Sequence, residues 1–267
     1  MRADRSRAIV APHATDDEDP MTETIWTEPY SVNTLVLDHG KRLGLFGLTR
    51  LLQDVAWIHA RHLGHGYEAM IERDTIWVLT RQMVRMRAWP AWGEALTLRT
   101  WVRPISGPLA LRDTQIVAED GRVLGEATAC WLTLDVNTRR PMKLALGEAT
   151  RVCHTGGTLD LDPPRIAALD GAETALRLEA RTGDLDLNGH VNNACYAQWV
   201  LDALPPDLPL HTPVAAYEVC FLAECHPGDS VALERAPLDP APDGGMRVQV
   251  QGRRDGDGKP LFAARLT

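Results

Sequence analysis

Leu48, Leu51, Leu52 and Val55 recur at the i, i+3, i+4, i+7 spacing that lines apolar side chains along one face of a helix, and His59 and His62 continue that face. The pattern predicts an amphipathic helix from Phe46 to Leu63, stopped at Gly64 and Gly66. Strand patterning follows. Ile76 to Arg87 is rich in strand formers and is broken by Pro90, Leu96 to Val102 alternates, and Leu111 to Ala118 with Val123 to Val136 predicts a hairpin around Asp120 and Gly121. Residues 148–171 contain Gly156, Gly157, Pro163 and Pro164 and little periodicity, which predicts a linker. Beyond it the order repeats: a helix from Asn192 to Ala203 ending at Pro205 and Pro206, strands at Ala215 to Glu224 and Val231 to Arg235, and a hairpin from Met246 to Leu266 around Asp255 to Gly258. Met246, Val248 and Val250 alternate with Arg247, Gln249 and Gln251, the pattern of a half-exposed strand.

The repeat has a measurable offset. Gly93-Glu94 with Leu96 and Leu98 corresponds to Gly228-Asp229 with Val231 and Leu233, about 135 residues on; Asp120-Gly121 with Leu124 and Ala127 corresponds to Asp257-Gly258 with Leu261 and Ala264, about 137 on. Each half reads as one helix followed by antiparallel strands that curl round its apolar surface, an α+β arrangement. Residues 22–147 and 172–267 are the expected domains, joined by 148–171. Residues 1–21 are an expected disordered tail: Arg2, Arg5 and Arg7 lead into Asp16, Asp17, Glu18 and Asp19 with no apolar stretch, unlike a signal peptide.

Composition narrows the function. A length of 267 residues suits two modest domains, and 45% hydrophobic residues supply their cores. No apolar run approaches the roughly 18 residues of a membrane helix, so no membrane partner is expected. A net charge of -8 argues against nucleic acid. The five cysteines, Cys130, Cys153, Cys195, Cys220 and Cys225, include no CxxC pair, which points away from zinc knuckles and disulfide frameworks and towards a reducing cytoplasm.

The chemistry concentrates in Asp184-Leu185-Asp186-Leu187-Asn188-Gly189-His190-Val191-Asn192-Asn193-Ala194-Cys195-Tyr196. Asn192 is placed to cap the helix that follows, whose first N–H groups and dipole favour a developing oxyanion. Gly189 allows close backbone approach. Asp186 is the candidate base or nucleophile, with Asn188 and His190 to hold water and orient it.

At this stretch the sequence resembles the hot-dog thioesterases, whose signature reads D-x-x-G-H-V-N-N-A, and in its fuller form the plant and bacterial acyl-carrier-protein thioesterases. Further blocks resemble that family in the same order: Thr75-Ile76-Trp77-Val78-Leu79-Thr80-Arg81, Trp92-Gly93-Glu94, Thr100-Trp101-Val102, Thr138-Arg139-Arg140-Pro141 and Glu224-Cys225. The resemblance implies a tandem hot-dog fold and hydrolysis of fatty acyl thioesters on acyl carrier protein. It implies a site lined by Asp186, Asn188, His190 and Glu224, with an acyl tunnel shaped by the first domain. Glu224 and Asp186 both stand as candidate bases, and Cys225 as an alternative nucleophile. Neither metal nor redox cofactor is expected, and a homodimer is left open. The corresponding loop of the first half, Asp38-His39-Gly40-Lys41-Arg42-Leu43-Gly44, has no Asn and no H-V-N-N, so one active site per chain is expected.

Blander readings compete at several positions. His59, His62 and His65 are spaced like ligands, but Gly64 breaks the helix before His65 and no carboxylate pairs with them, so they read as a helix face near tunnel or solvent. Arg81, Arg85 and Arg87 share one strand parity, the pattern of a solvated sheet face or of a docking patch for an acidic carrier protein. Trp89, Trp92, Trp101 and Trp131 read as core or tunnel wall. By parity Val219, Phe221, Ala223 and Cys225 share an apolar face while Glu218, Cys220, Leu222 and Glu224 share the other, which makes Cys225 a buried thiol and Glu224 the site carboxylate.

Overall fold

The computed structural model describes residues 25–104, 109–142, 159–205, 213–240 and 245–267, so the expected tail and residues 148–158 of the expected linker lie outside the described residues. The predicted first helix is α1, Leu45–His62, with Leu48, Leu52, Val55 and His59 buried on one face. It ends where Gly64 adopts φ +73°, a left-handed conformation that relieves the helix of continuing. A short α2, Tyr67–Ile71, follows it. The strands are β1 Trp26–Ser31, β2 Thr75–Met86, β3 Ala95–Val102, β4 Leu109–Ala118 and β5 Val123–Asp135. The second half contributes β6 Glu173–Glu179, α3 Asn193–Asp202, β7 Ala216–Phe221, β8 Ser230–Leu238, β9 Arg247–Arg254 and β10 Pro260–Leu266.

These strands form one 10-stranded antiparallel sheet in the order β1-β3-β4-β5-β2-β7-β10-β9-β8-β6. Read inward from its two edges, each half has the same order. The halves join where β2 pairs with β7, from Arg81 opposite Cys220 to Arg85 opposite Ala216. The repeated turns are alike in backbone detail. Gly93 and Gly228 adopt φ +87° and +86°, and their N–H groups donate to Val32 and Ala180 carbonyls at 2.9 and 2.8 Å. Helices α1 and α3 pack against each other, and one connected apolar core runs from Leu48, Leu52 and Val55 through Val84 and Ile116 to Tyr196, Val200, Leu233 and Phe262.

Two expectations are corrected here. Gln249 and Gln251 are each only 1% exposed, so β9 is not a half-exposed strand. Residues 159–171 lie across that face: Gln249 donates to the Ala167 carbonyl at 2.7 Å, while Gln251 accepts from Leu169 N–H and donates to its carbonyl, both at 2.7 Å. An extended segment with no strand beside it still needs backbone partners, and buried glutamine amides provide them. At its start the same segment is held by Asp113, fully buried, which accepts from Leu159 N–H, Arg103 and Thr128. The second correction is Trp92, 58% exposed rather than core or wall.

Candidate functional site

The loop from Asp184 to Asn193 is a closed turn set on the start of α3. Leu185 and Val191 form an isolated bridge. Inside it Asp186 N–H donates to the His190 carbonyl at 2.8 Å and Gly189 N–H donates to the Asp186 carbonyl at 3.1 Å. Gly189 sits at φ +76°, which L side chains adopt at a cost, and this explains the glycine. Asp186 Oδ1 accepts from Asn188 N–H at 2.8 Å and His190 N–H at 3.3 Å. One carboxylate oxygen thus fixes the turn. Among the described residues the other has no protein partner. Asn192 caps α3, its side chain accepting from Ala194 N–H at 2.9 Å, and Val191 N–H ties the loop to the Cys225 carbonyl at 2.9 Å.

A cavity of about 640 Å³, a size suited to a small-molecule ligand, is bordered by Asp186, Asn188, Asn192 and Asn193 of this loop. Its apolar wall comes from the first half and includes Leu51 and Trp57 of α1, Met70 of α2, Ile76 and Trp77 of β2 and Trp131 of β5. Arg112 also borders it. This guanidinium is 8% exposed and donates to His59 Nδ1 at 2.7 Å. Arginine only donates, so His59 accepts at Nδ1 and is neutral. Burial, with the nearby Arg112 and His62 charges, pushes its pKa down to about 3. The three spaced histidines thus go separate ways: His59 pairs with Arg112, the His62 ring packs against Trp26, and His65 Nδ1 lies 3.4 Å from Arg73.

Glu224, His190 and Arg139 form a second group beside the loop. Glu224 Oε2 lies 3.7 Å from His190 Nε2, and its other oxygen is ion-paired with Arg139. Arg139 is at φ +58° in the turn after β5, so the first half supplies this guanidinium. The Glu224 carbonyl is held by Arg254 at 2.8 Å. His226 meets His190 edge to face with centroids 4.8 Å apart. The His190 pKa is lowered, first by burial and then by His226, so its imidazole is neutral near pH 7. Among the four residues expected in the site, Asp186 and Asn188 border the cavity, whereas His190 and Glu224 do not.

Cys225 is fully buried in the core, and burial followed by the Asp229 charge pushes its thiol up to about 12. Strand β7 stops at Phe221, yet the alternation carries on and places Cys225 inward and Glu224 at the surface. Arg81 is not a free cation: it donates to the Pro163 carbonyl at 2.9 Å and contacts Cys130 Sγ. Arg85 and Arg87 are exposed, Arg87 paired with Glu126 at 3.0 Å. Sequence reasoning missed Arg139 and His226 as neighbours of the site. The signals were the Thr138-Arg139-Arg140 turn and the His directly after Glu224-Cys225.

The fold matches solved structures closely. It superposes with a TM-score of 0.82 on an acyl-ACP thioesterase from Bacteroides thetaiotaomicron, 23% identical over 91% of this chain and 97% of that one. The score is also 0.82 for the 12:0-ACP thioesterase of Umbellularia californica, 20% identical over 95% and 96%. These likenesses, with one large antiparallel sheet and helices on its face, define an α+β fold of the hot-dog type. Family profiles fix the assignment: the acyl-ACP thioesterase N-terminal domain matches residues 23–147 and the C-terminal domain residues 168–252. The chain belongs to the acyl-ACP thioesterase family. Among curated relatives, the chloroplastic palmitoyl-acyl carrier protein thioesterase of Gossypium hirsutum is 30% identical over 75% of this chain. An acyl-[acyl-carrier-protein] hydrolase of Cuphea viscosissima is 25% identical over 82%. The chain spans 52% and 57% of their lengths. No helix of the described residues is long and apolar enough to cross a membrane.

Proposed function

We propose that this chain is a tandem hot-dog hydrolase that cleaves the thioester of fatty acyl groups carried on acyl carrier protein, releasing free fatty acid in the cytoplasm. Its first unit, residues 22–147, forms the acyl cavity, its second, 172–267, carries the site, and 148–171 joins them. The observation that carries the reading is the placement of Asp186: one oxygen is spent on the turn, while the residue borders a largely apolar cavity beside the N-terminus of α3.

The acyl chain lies along the apolar wall with its carbonyl at Asp186 and Asn188. Asp186 acts there as base for a water, or attacks the carbonyl itself. The Asn193 N–H, which has no acceptor among the described residues, and the positive end of α3 stabilise the oxyanion. The C–S bond breaks, water supplies the hydroxyl of the released acid, and the carrier keeps the thiol. His190 and Glu224, anchored by Arg139, position the loop through the His190 N–H on Asp186. Arg85 and Arg87 are the remaining candidates for docking the acidic carrier.

The test is a substrate panel. Acyl-carrier-protein thioesters of several lengths should be hydrolysed with higher kcat/KM than the matching acyl-CoA, and the preference should shrink as salt rises. Equal kcat/KM for both carriers at every salt concentration would favour an acyl-CoA hydrolase on the same fold. Tight acyl binding with no turnover would favour a binding module.

A further inference from the structure

His226 has no part in the reaction proposed above, yet its ring is set against His190 on an exposed rim of the molecule. Its backbone is pinned, the N–H donating to Asp229 at 2.9 Å. One ligand-type atom each from His190, Glu224 and His226 lie within 4.8 Å of one another. Arg139 engages Glu224 Oε1, which leaves Oε2 as the oxygen nearest the imidazole of His190, at 3.7 Å. Ligands about 2.0–2.2 Å from a tetrahedral zinc ion sit roughly 3.3–3.6 Å apart, so small side-chain rotations close the set. Two imidazole nitrogens and one carboxylate oxygen suit zinc and its borderline neighbours. They do not suit magnesium, which wants an oxygen octahedron.

We propose that His190, Glu224 and His226 form a binding site for a divalent cation of the zinc type, and that occupancy inhibits the enzyme by pulling His190, and with it the N–H that holds Asp186, out of place. The cation is an external ligand and supplies no step of hydrolysis. Binding stands on the three side chains alone; the inhibitory consequence rests on the hydrolase reading above.

The experiment titrates zinc chloride into the untagged, metal-free full chain by calorimetry at pH 8 and repeats the titration while acyl-carrier-protein hydrolysis is followed. The expected result is one site per chain, no response to magnesium, and inhibition that chelator reverses. His226→Ala should weaken zinc binding at least about tenfold and make turnover resistant to zinc, with turnover in zinc-free buffer unchanged. Cys195→Ser, which removes the half-exposed thiol, should leave the zinc affinity unaltered. Unchanged binding in His226→Ala, loss of binding in Cys195→Ser, or a wild type that chelator inactivates and zinc restores would each overturn the proposal. Zinc binding that depends on His226 in a chain with no turnover would leave the site standing and refute the hydrolase reading instead.

Discussion

Two loops of this molecule share one backbone and differ in what it carries. Leu37 bridges Leu43 as Leu185 bridges Val191. Asp38 N–H donates to the Arg42 carbonyl at 2.9 Å, as Asp186 does to His190 at 2.8 Å. Lys41 N–H returns to the Asp38 carbonyl at 3.2 Å, as Gly189 returns to Asp186 at 3.1 Å. Even the left-handed residue is kept, with Lys41 at φ +57° and Gly189 at +76°. The side chains part ways. Arg42 Nε lies 3.0 Å from Asp38 Oδ2, so a cation occupies the carboxylate, and Gly44 leads into α1 with no side-chain cap. In the second loop Asn192 caps the helix, and His190 meets Asp186 through its backbone N–H on Oδ1. The turn is thus common to both halves, and the proposed site differs from the first loop in the uncovered second oxygen of Asp186 and in Asn188, His190 and Asn192, where the first loop has Gly40, Arg42 and Gly44.

The comparison can be sharpened by experiment. Outside the two loops themselves, the largest expected effect is at Glu224. Glu224→Ala removes the partner of His190 and Arg139 and should lower kcat about 10²-fold, the scale of a misplaced catalytic group. Cys225→Ala should keep most activity, and iodoacetamide should inactivate the wild type slowly. Rapid alkylation at Cys225, with an acyl group trapped on its sulfur, would reverse the ordering. Next is pH. The His190 pKa is lowered from 6.5, so its imidazole stays neutral until the pH falls below that value. The acid limb of kcat should therefore lie below pH 6.5, and a limb well above it would contradict a neutral His190. A smaller effect is expected at the rim: reversing Arg85 and Arg87 to Glu should raise KM for acyl carrier protein several-fold at low salt while sparing a small acyl thioester. The smallest lies in the silent loop. Lys41→Gly removes a left-handed non-glycine residue, a cost of about 1–2 kcal/mol partly offset by unfolded-chain entropy. It should raise Tm by about 2 °C without touching turnover.

The sequence alone located most of this. The helix spacing at Leu48, Leu52 and Val55 falls within α1 to one residue at each end, because an amphipathic face facing a core has one period to obey. The offsets at Gly93/Gly228 and Gly121/Gly258 mark turns whose positive φ only glycine tolerates cheaply. Strand β6 leaves no mark in the sequence, since its residues are mostly half-buried or exposed at a sheet edge and show little alternation. Gln249 and Gln251 read as exposed in the sequence because their partners are backbone groups more than 80 residues away, which no local pattern records. Arg139 and His226 reach the site by the same long-range route: one comes from the other half, and the other follows Glu224 where strand β7 has already ended. Asp186, Asn188 and His190 were legible because the turn that presents them is local.

The most direct test pairs two conservative substitutions in one assay of thiol release from acyl-carrier-protein thioesters. Asn in place of Asp186 or Asp38 keeps an oxygen to accept the turn's N–H groups and removes only the carboxylate charge. Asp186→Asn should therefore leave Tm unchanged and lower the rate by about 10²–10⁴-fold, while Asp38→Asn keeps the wild-type rate. Wild-type turnover in Asp186→Asn, or a comparable loss in Asp38→Asn, would contradict the assignment of the chemistry to the second loop.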